Sequence, residues 1–476
     1  MFLRLAVGFA MALAALANFS GSASAQEFLD FPASRDRTTE PPATTDTQPA
    51  VPAQQPAPAK QPNQKPGSFG SFNFDPQLTF SQEYDDNIFS TRNNKIGDSI
   101  SIVSPSLRVE SDWTKHQLNL FSGADIGRYA GHGSENYEDY WFGGDGRLDL
   151  TGSAALFGGA QYSHNHEERD SPDGVAGTRP TIYHELFGYA GGEGQFGPVS
   201  LRVGGTYKGL NYNDVNSTTG IINNDDRDRT LYEIGGRLGY TVASGYEVFL
   251  QGASDIRRYD AARDDAGFDR DSNGFNLALG FKVRVDRNLR LEVLGGYMRQ
   301  NYDDRNLKDV GVPDFGGRLT YQVTPRTSVT ALLDRTVEET TAVGASSYIA
   351  TTFGAQVEHK LAPDMTVNGS IYYTIDDYVG INREDDLVDA GLGLRYYVTP
   401  NLWFGPDYRF LQRNSDAAGE DYDENRFFLR FGAALTPEYS DADMVAYNSG
   451  IGALPGLKGL YTTKVIGTCS ASSDTP

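Results

Sequence analysis

The chain has 476 residues, a net charge of −22 and a negative mean hydropathy. The acidity argues against a nucleic-acid partner, since nucleic acids attract basic surfaces. The single cysteine, Cys469, excludes an intrachain disulfide. After the N-terminal segment no run of about 18 apolar residues occurs, which argues against a helical membrane span.

The first 25 residues have the pattern of a secretory signal peptide. Arg4 supplies a positive start, residues 5–16 are mostly apolar, and Ala23-Ser24-Ala25 is a small-residue cleavage site, so we expect cleavage near Ala25. The alternative, a membrane anchor, is disfavoured because the segment is short. Residues 26–72 are rich in proline, alanine and glutamine, and we predict a disordered periplasmic linker.

Residues 73–436 repeat a pattern in which apolar and polar side chains alternate. In the clearest unit, Phe275, Leu277 and Leu279 alternate with Asn276 and Ala278. Successive side chains of a strand point to opposite faces of the sheet, so this pattern predicts strands with one apolar and one polar face.

The connections between these units are alternately short and long, which is typical of an all-β, antiparallel up-and-down transmembrane β-barrel. Eight short turns and nine longer loops give eighteen strands, an even number as bacterial barrels require, with sixteen as the alternative. Such a barrel belongs in the outer membrane, among lipid and lipopolysaccharide, and depends on the barrel-assembly machinery. The predicted strands lie near residues 73–86, 98–110, 115–128, 137–150, 154–166, 181–195, 198–211, 228–242, 246–259, 273–285, 288–302, 311–323, 327–338, 347–360, 365–377, 386–398, 401–413 and 424–436.

Residues 437–476 form a C-terminal tail that does not continue the barrel pattern. The sequence leaves open whether this tail lies in the periplasm, enters the lumen or has no role.

One arginine recurs on the polar face of seven strands, a few residues before a short turn or near the end of the last strand. Because these strands differ, we predict a ring of arginines near the periplasmic mouth, and rings of charge control which solutes pass a pore. The alternative is a structural network with inward carboxylates, and both can hold. The arginines are Arg108, Arg147, Arg237, Arg284, Arg318, Arg395 and Arg430.

The opposite ends of the strands are acidic, which predicts an acidic outer mouth. These carboxylates could bind divalent cations that bridge them to lipopolysaccharide, or repel anions, or simply keep the loops solvated. The residues are Asp85, Asp86, Asp303, Asp304, Asp376 and Asp377.

The segment from His164 to Glu168 is the one metal-like cluster of the sequence. Two histidines two residues apart share a strand face, but no third ligand follows at a clear spacing. Neither a nucleophile-elbow serine motif nor a metalloprotease histidine motif is present. We therefore expect no enzyme activity, no metal and no cofactor.

The stretch from Tyr84 to Phe89, together with Pro105-Ser106-Leu107 and Ser111-Asp112-Trp113, resembles the putative β-barrel porin type-2 family of Gram-negative outer-membrane proteins. The resemblance covers roughly residues 73–436. It implies an 18-stranded barrel that acts in export of exopolysaccharide or capsule together with a periplasmic polysaccharide-export protein. The tail departs from the family pattern, whose members end at the last strand.

The leading hypothesis is therefore a conduit for export of a secreted or surface polysaccharide. Inward aromatic residues that could stack on sugars, among them Trp141, Phe187, Tyr372 and Tyr397, motivate it. The alternatives are a general diffusion porin and a non-conducting structural or adhesive barrel. Since no loop clearly exceeds about fifteen residues, the sequence disfavours the inward-folded loop with which porins constrict the lumen.

Overall fold

The computed structural model describes residues 67–284 and 288–435. The predicted signal peptide, nearly all of the predicted linker, and the tail with Cys469 lie outside the described residues. Within them, eighteen long antiparallel strands follow one another around a single closed sheet.

We number these strands β1 to β18 in chain order. Their bounds are Phe72–Asp85, Asp98–Ser111, Gln117–Tyr129, Tyr137–Thr151, Ala154–His166, Ile182–Phe196, Val199–Tyr212, Arg229–Ala243, Tyr246–Tyr259, Ser272–Arg284, Leu289–Tyr302, Val310–Thr324, Thr327–Glu339, Ser347–Ala362, Met365–Val379, Glu384–Thr399, Leu402–Ser415 and Tyr422–Ala434.

The barrel closes where the first strand pairs with the last. Asp85 lies opposite Arg426 and Gln77 opposite Ala434 in the β1–β18 ladder. The predicted eighteen strands are thus confirmed, and the sixteen-strand alternative is wrong. Ahead of β1, the short strand Ser68–Phe69 folds back onto Phe72 and Asn73.

The two faces of each strand follow the predicted alternation. On β10, Leu277 and Leu279 are 53% and 60% exposed, whereas Asn276 and Ala278 are 4% and 2% exposed. Large apolar side chains on the outside and polar or small ones on the inside are the pattern that a lipid-facing barrel requires.

Replacing Leu279 with arginine tests this assignment. We expect a loss of about 2–4 kcal/mol in the free energy of unfolding, the usual cost of arginine on the lipid face near the bilayer midplane. The measurement is denaturant unfolding in lipid vesicles. Lys282→Gln changes an inward position of the same strand, so it should leave stability nearly unchanged; equal losses in both variants would contradict the face assignment.

The two ends of the barrel differ in the length of their connections. Short turns, such as the one containing Gly245 with its positive φ of 79°, join β8 to β9 and the other strand pairs at one end. Longer loops lie at the other end, where loop 213–228 carries the short strands Val215–Ser217 and Gly220–Ile222. Short turns face the periplasm and long loops the exterior in such barrels, which sets the orientation.

No helix in residues 67–284 and 288–435 is long and apolar enough to cross a membrane.

Candidate functional site: the outer constriction

Loop 167–181, between β5 and β6, folds into the lumen and reaches the distant wall formed by β17 and β18. The guanidinium of Arg413 donates a hydrogen bond to the backbone oxygen of Asp170, and the Tyr422 hydroxyl lies 3.3 Å from the Asp170 carboxylate. Arg413 and Tyr422 share the inward face of their strands with buried Trp403 and Glu424. The loop therefore contacts the lumen side of a wall that its own strands do not form.

Two ion pairs, one buried and one partly buried, brace this loop. Both guanidinium nitrogens of Arg227, in loop 213–228, donate to Glu167 at 3.0 and 2.5 Å, and both residues are buried. Arg169 contacts Glu135 in the same way, since two of its guanidinium nitrogens donate to the two carboxylate oxygens at 2.8 and 2.9 Å. Such two-point contacts fix geometry as well as contributing energy.

The loop also meets loop 340–346, which connects β13 and β14. The Thr340 hydroxyl donates to the Asp173 carboxylate at 2.6 Å, and the Thr341 N–H donates to the same oxygen at 3.1 Å. Since β5 and β13 lie far apart around the barrel, these bonds join opposite parts of the outer opening.

The wall itself is split between β12 and β13. Their ladder stops at Gly317 opposite Leu333, well before the outer end of either strand. On the flanking seams the pairing continues, with Gln300 opposite Val310 and Ser347 opposite Glu339. We call residues 334–352, which separate from β12 at this point, the inner hairpin; on its other side, residues 347–352 stay paired with residues 374–379 of β15.

The packing of apolar side chains shows on which side of the wall the inner hairpin lies. Val310 and Tyr302 have the inward position on β12 and β11, yet they form one buried cluster with Ile349 and Val379. Ile349 and Val379 occupy positions that face lipid lower down β14 and β15. The outward face of the inner hairpin can cover the inward face of β11 and β12 only if the hairpin lies inside the barrel.

Buried charges hold the inner hairpin in that position. Glu339, at the end of β13, pairs with Arg257 of β9 and accepts a hydrogen bond from the Tyr259 hydroxyl at 2.6 Å. Arg270, which is 1% exposed, donates to the backbone oxygens of Thr340 and Ala345 at 2.5 and 3.0 Å. Loop 167–181 and the inner hairpin together form what we call the outer constriction.

The expectation that no loop would fold inward is thus wrong. Loop 167–181 is no longer than expected, but it starts at the rim and needs to cross only part of the lumen to reach β17 and β18. The inner hairpin also narrows the lumen, and its contribution cannot be inferred from the lengths of the loops. One sequence feature fits this arrangement: Val310 and Val312 are apolar side chains on inward positions of β12.

We expect Asp170 to make this constriction respond to pH. Burial raises the pKa of its carboxyl, Glu168 and Glu424 raise it further, and Arg426 and Arg413 act in the opposite direction. A carboxyl whose pKa is raised in the packed state stabilises packing at low pH, and this contribution is lost as the pH rises through the raised pKa.

Conductance should therefore fall on acidification from neutral pH and recover when the pH returns. Asp170→Asn, which cannot ionise, should flatten this part of the profile, whereas the exposed Asp303→Asn should leave it unchanged. Single-channel recordings across the carboxyl titration range check this. An identical profile in Asp170→Asn would remove Asp170 as the sensor.

The seven predicted ring arginines all lie on inward positions in the periplasmic part of their strands, although not at one level. Arg284 is the last residue of β10, whereas Arg237 lies six residues before the end of β8 at Ala243. A strand rises about 3.3 Å per residue, so these side chains form a band rather than a flat ring.

Carboxylates and aromatic rings surround the arginine band. Arg147 pairs with Asp149 at 2.9 Å and with Glu193, and Arg108 pairs with Glu110 at 3.1 Å. These contacts belong to the structural network that the sequence left as an alternative.

The other members of the band have carboxylate, arginine or aromatic neighbours. Arg237 binds Glu292 at 2.6 Å, Arg318 lies opposite Glu292 in the ladder, and Arg284 lies opposite Arg290. The guanidinium groups of Arg395 and Arg430 lie over the rings of Trp403 and Phe428 at 4.2 and 4.4 Å, which is the geometry of cation–π contacts.

The six predicted mouth carboxylates do not form one exposed rim. Asp85 and Asp376 are buried on inward positions, and Asp85 lies 3.4 Å from the Arg426 guanidinium. Asp303 and Asp377 are exposed.

Asp86 and Asp304 instead bind backbone N–H groups. Asp86 accepts from the Asn425 N–H at 2.7 Å, and Asp304 accepts from Asn306 and Asp269 at 2.9 and 3.0 Å. The donors from Asn306 and Asp269 lower the pKa of Asp304 below its usual range.

The two histidines of the metal-like cluster have different partners. His164 stacks on Tyr140 and lies 3.4 Å from a His184 nitrogen, whereas His166 stacks on Tyr137 and contacts Asp139 at 2.8 Å. In the part of the chain that the structure describes, no group of three or more His, Cys, Asp or Glu residues is arranged to hold a metal ion.

The four aromatic residues that motivated the polysaccharide hypothesis alternate with exposed apolar neighbours and face the lumen. Phe187 is buried next to Tyr189, with ring centroids 6.0 Å apart, and Gln356 donates to the Tyr372 hydroxyl. Trp141 and Tyr397 lie at partly exposed positions on β4 and β16.

Comparisons with known proteins place the sequence in a family context. A family model described as putative β-barrel porin 2 matches residues 64–434. A search among curated proteins finds no match to this chain.

A comparison with solved structures finds similarity to several outer-membrane proteins. OccK2 (OpdF) of Pseudomonas aeruginosa is 11% identical, with 76% of this chain and 98% of that one covered and a TM-score of 0.43. Acinetobacter baumannii OccAB3 is 11% identical, with coverages of 76% and 99% and a TM-score of 0.41. A ferric enterobactin receptor (PfeA) mutant of P. aeruginosa is 10% identical, with coverages of 76% and 80% and a TM-score of 0.40.

Proposed function

Because the chain belongs to the putative β-barrel porin 2 family, a porin-like barrel of the outer membrane, we propose that it conducts small hydrophilic solutes through a lumen narrowed by the outer constriction. The observation that carries this proposal is the bond between Thr340 and Asp173, which joins loop 167–181 to the inner hairpin across the outer opening. A braced constriction selects solutes by size and charge, as pore-lining groups do in other channels.

Liposome swelling with a series of sugars tests this proposal. Vesicles containing the full mature chain should swell quickly in monosaccharides and progressively more slowly in larger sugars, and planar bilayers should show discrete conductance steps. A heat-denatured sample is the control for leakage. Absence of both swelling and conductance from the folded protein would overturn the proposal and favour the non-conducting barrel.

Polysaccharide export with a periplasmic partner is the second candidate, favoured by the inward aromatic residues and by the resemblance to export barrels. A polymer could pass only if the outer constriction were displaced. Secreted and cell-bound polysaccharide would be measured in a strain lacking the gene, with and without complementation. Unchanged polysaccharide would rule out this candidate and leave solute diffusion.

The proposed location depends on the N-terminus. We propose that residues 1–25 direct secretion and are removed near Ala25. N-terminal sequencing of the protein purified from outer membranes should begin at Gln26, and an intact Met1 would contradict cleavage.

A further inference from the structure

Beyond the β12–β13 ladder both strands continue without pairing with each other. The ladder ends at Gly317 opposite Leu333. Continuing the same register would place Asp314 opposite Thr336 and Val312 opposite Glu338. A strand edge beyond a ladder is a ready template for further pairing.

We propose that the inner hairpin is a gate, which swings outward and extends the β12–β13 ladder along residues 310–316, thereby widening the lumen. The inference rests on the proposed function, because it concerns regulation of the same outer constriction. The fixed part is the β12–β13 ladder up to Leu333. The outer end of β15 moves with the inner hairpin, because residues 374–379 are paired with residues 347–352.

The split separates a part of β12 that is not paired with β13, and that contains Pro313, from a regular paired part. Pro313 has no N–H, so the extended ladder would lack one hydrogen bond at this position, whereas the other residues of 310–316 keep their N–H groups. The paired part below it, such as Thr320 opposite Thr330, is regular. At the junction between the paired and the unpaired parts of the two strands, a small rotation of the backbone produces a large displacement of the strand ends.

Identifiable contacts oppose the movement. They include the Arg257–Glu339 pair, the bond from the Tyr259 hydroxyl to Glu339, the two bonds from Arg270 to loop 340–346, and the apolar cluster around Val310 and Ile349. Outward movement breaks these contacts but adds ladder hydrogen bonds between β12 and β13. Two arrangements that each satisfy the backbone are the requirement for a population of two states.

The hydrogen bond that the Thr340 hydroxyl donates to Asp173 connects the gate to loop 167–181. The hairpin cannot reach β12 while this bond and the neighbouring bond to the Thr341 N–H persist. Release of loop 167–181 is therefore expected to precede opening.

Paired cysteines in the full chain, with Cys469→Ser as background, test the gate. The first test pair is Asp314→Cys/Thr336→Cys, whose two positions lie opposite each other only in the extended ladder. The second, Val312→Cys/Glu338→Cys, is used in case the first variant fails to fold. Thr320→Cys/Thr330→Cys, which are opposite in the existing ladder, are the matched control. Disulfide formation is read on gels under mild oxidant, and conductance is recorded before and after reduction.

We expect the control pair to cross-link at once, and a test pair to cross-link more slowly and to raise single-channel conductance severalfold until reductant is added. A control that cross-links while neither folded test pair does overturns the gate. Cross-linking of a test pair in a conducting channel whose conductance does not change also overturns it. Because gels do not depend on conduction, cross-linking in a protein without any conductance would overturn the proposed solute channel and leave the hairpin movement supported.

Discussion

Replacing Arg227 with alanine is expected to raise single-channel conductance severalfold and to admit larger sugars in swelling assays. Arg227 is 4% exposed and binds Glu167, at the base of loop 167–181, with both guanidinium nitrogens. Burial alone would lower the pKa of Arg227, but the bonds and charge of Glu167 raise it above its usual range, so the pair stays ionised.

The size of the expected change in conductance follows from the buried Glu167 carboxylate, which loses its cation in this variant. Removing one partner of a buried ion pair typically costs about 3–5 kcal/mol, because the remaining charge is buried without compensation. At about 1.4 kcal/mol per factor of ten, this shifts the equilibrium between packed and released loop more than a hundredfold. The stranded Glu167 carboxylate regains solvation only if the loop leaves the lumen.

Arg263→Ala is the matched control for this prediction. Arg263 also lies in an outer loop, but its side chain is 65% exposed and its contact with Asp304 is 3.6 Å long. Exposed pairs contribute at most about 1 kcal/mol, so conductance should not change. Unaltered conductance in Arg227→Ala, in a barrel that still shows its folded mobility on gels, would mean that loop 167–181 does not limit the pore.

The barrel itself could be predicted because the sequence patterns that specify it are local. A period of two along β10 gives the lipid face and the lumen face directly, and the alternation of short and long connections gives the number of strands. The inward direction of the arginines follows from the same period. None of these inferences needs knowledge of which residues meet across the barrel.

The outer constriction could not be predicted because its contacts are distant in sequence. Arg413 meets Asp170 across the lumen, and Arg257 meets Glu339 four strands away. Nothing in the neighbourhood of Arg257 distinguishes it from Arg258, which differs only in the face it occupies. The acidic residues near the outer end likewise gave the charge of the region but not that Asp85 and Asp376 would be buried.

Replacing Arg257 with alanine is the second change with a large expected effect. Glu339 would keep the Tyr259 hydroxyl as donor but lose its buried cation. The loss should again be about 3–5 kcal/mol for the inward position of the inner hairpin. We expect more frequent and longer high-conductance openings in bilayer recordings, without a change in the number of barrels that fold.

The neighbouring Arg258 is a control one residue away. Its side chain is 42% exposed on the outside of β9 and lies 3.5 Å from Asp271, so Arg258→Ala should conduct like the unmodified channel. Arg257→Ala/Glu339→Ala removes the stranded carboxylate too, and should open the channel less often than Arg257→Ala alone. Equal effects of Arg257→Ala and Arg258→Ala would contradict a role for the buried pair.

Combining Arg227→Ala with Arg257→Ala shows whether the two parts of the constriction act together. Distant, independent sites give additive free energies. These two sites are connected, because Asp173 of loop 167–181 holds Thr340 next to the inner hairpin. Either substitution alone weakens that bond, so the double variant should open less than the sum of the single effects. In an Asp173→Ala background the bond is absent, and the same two substitutions should become additive.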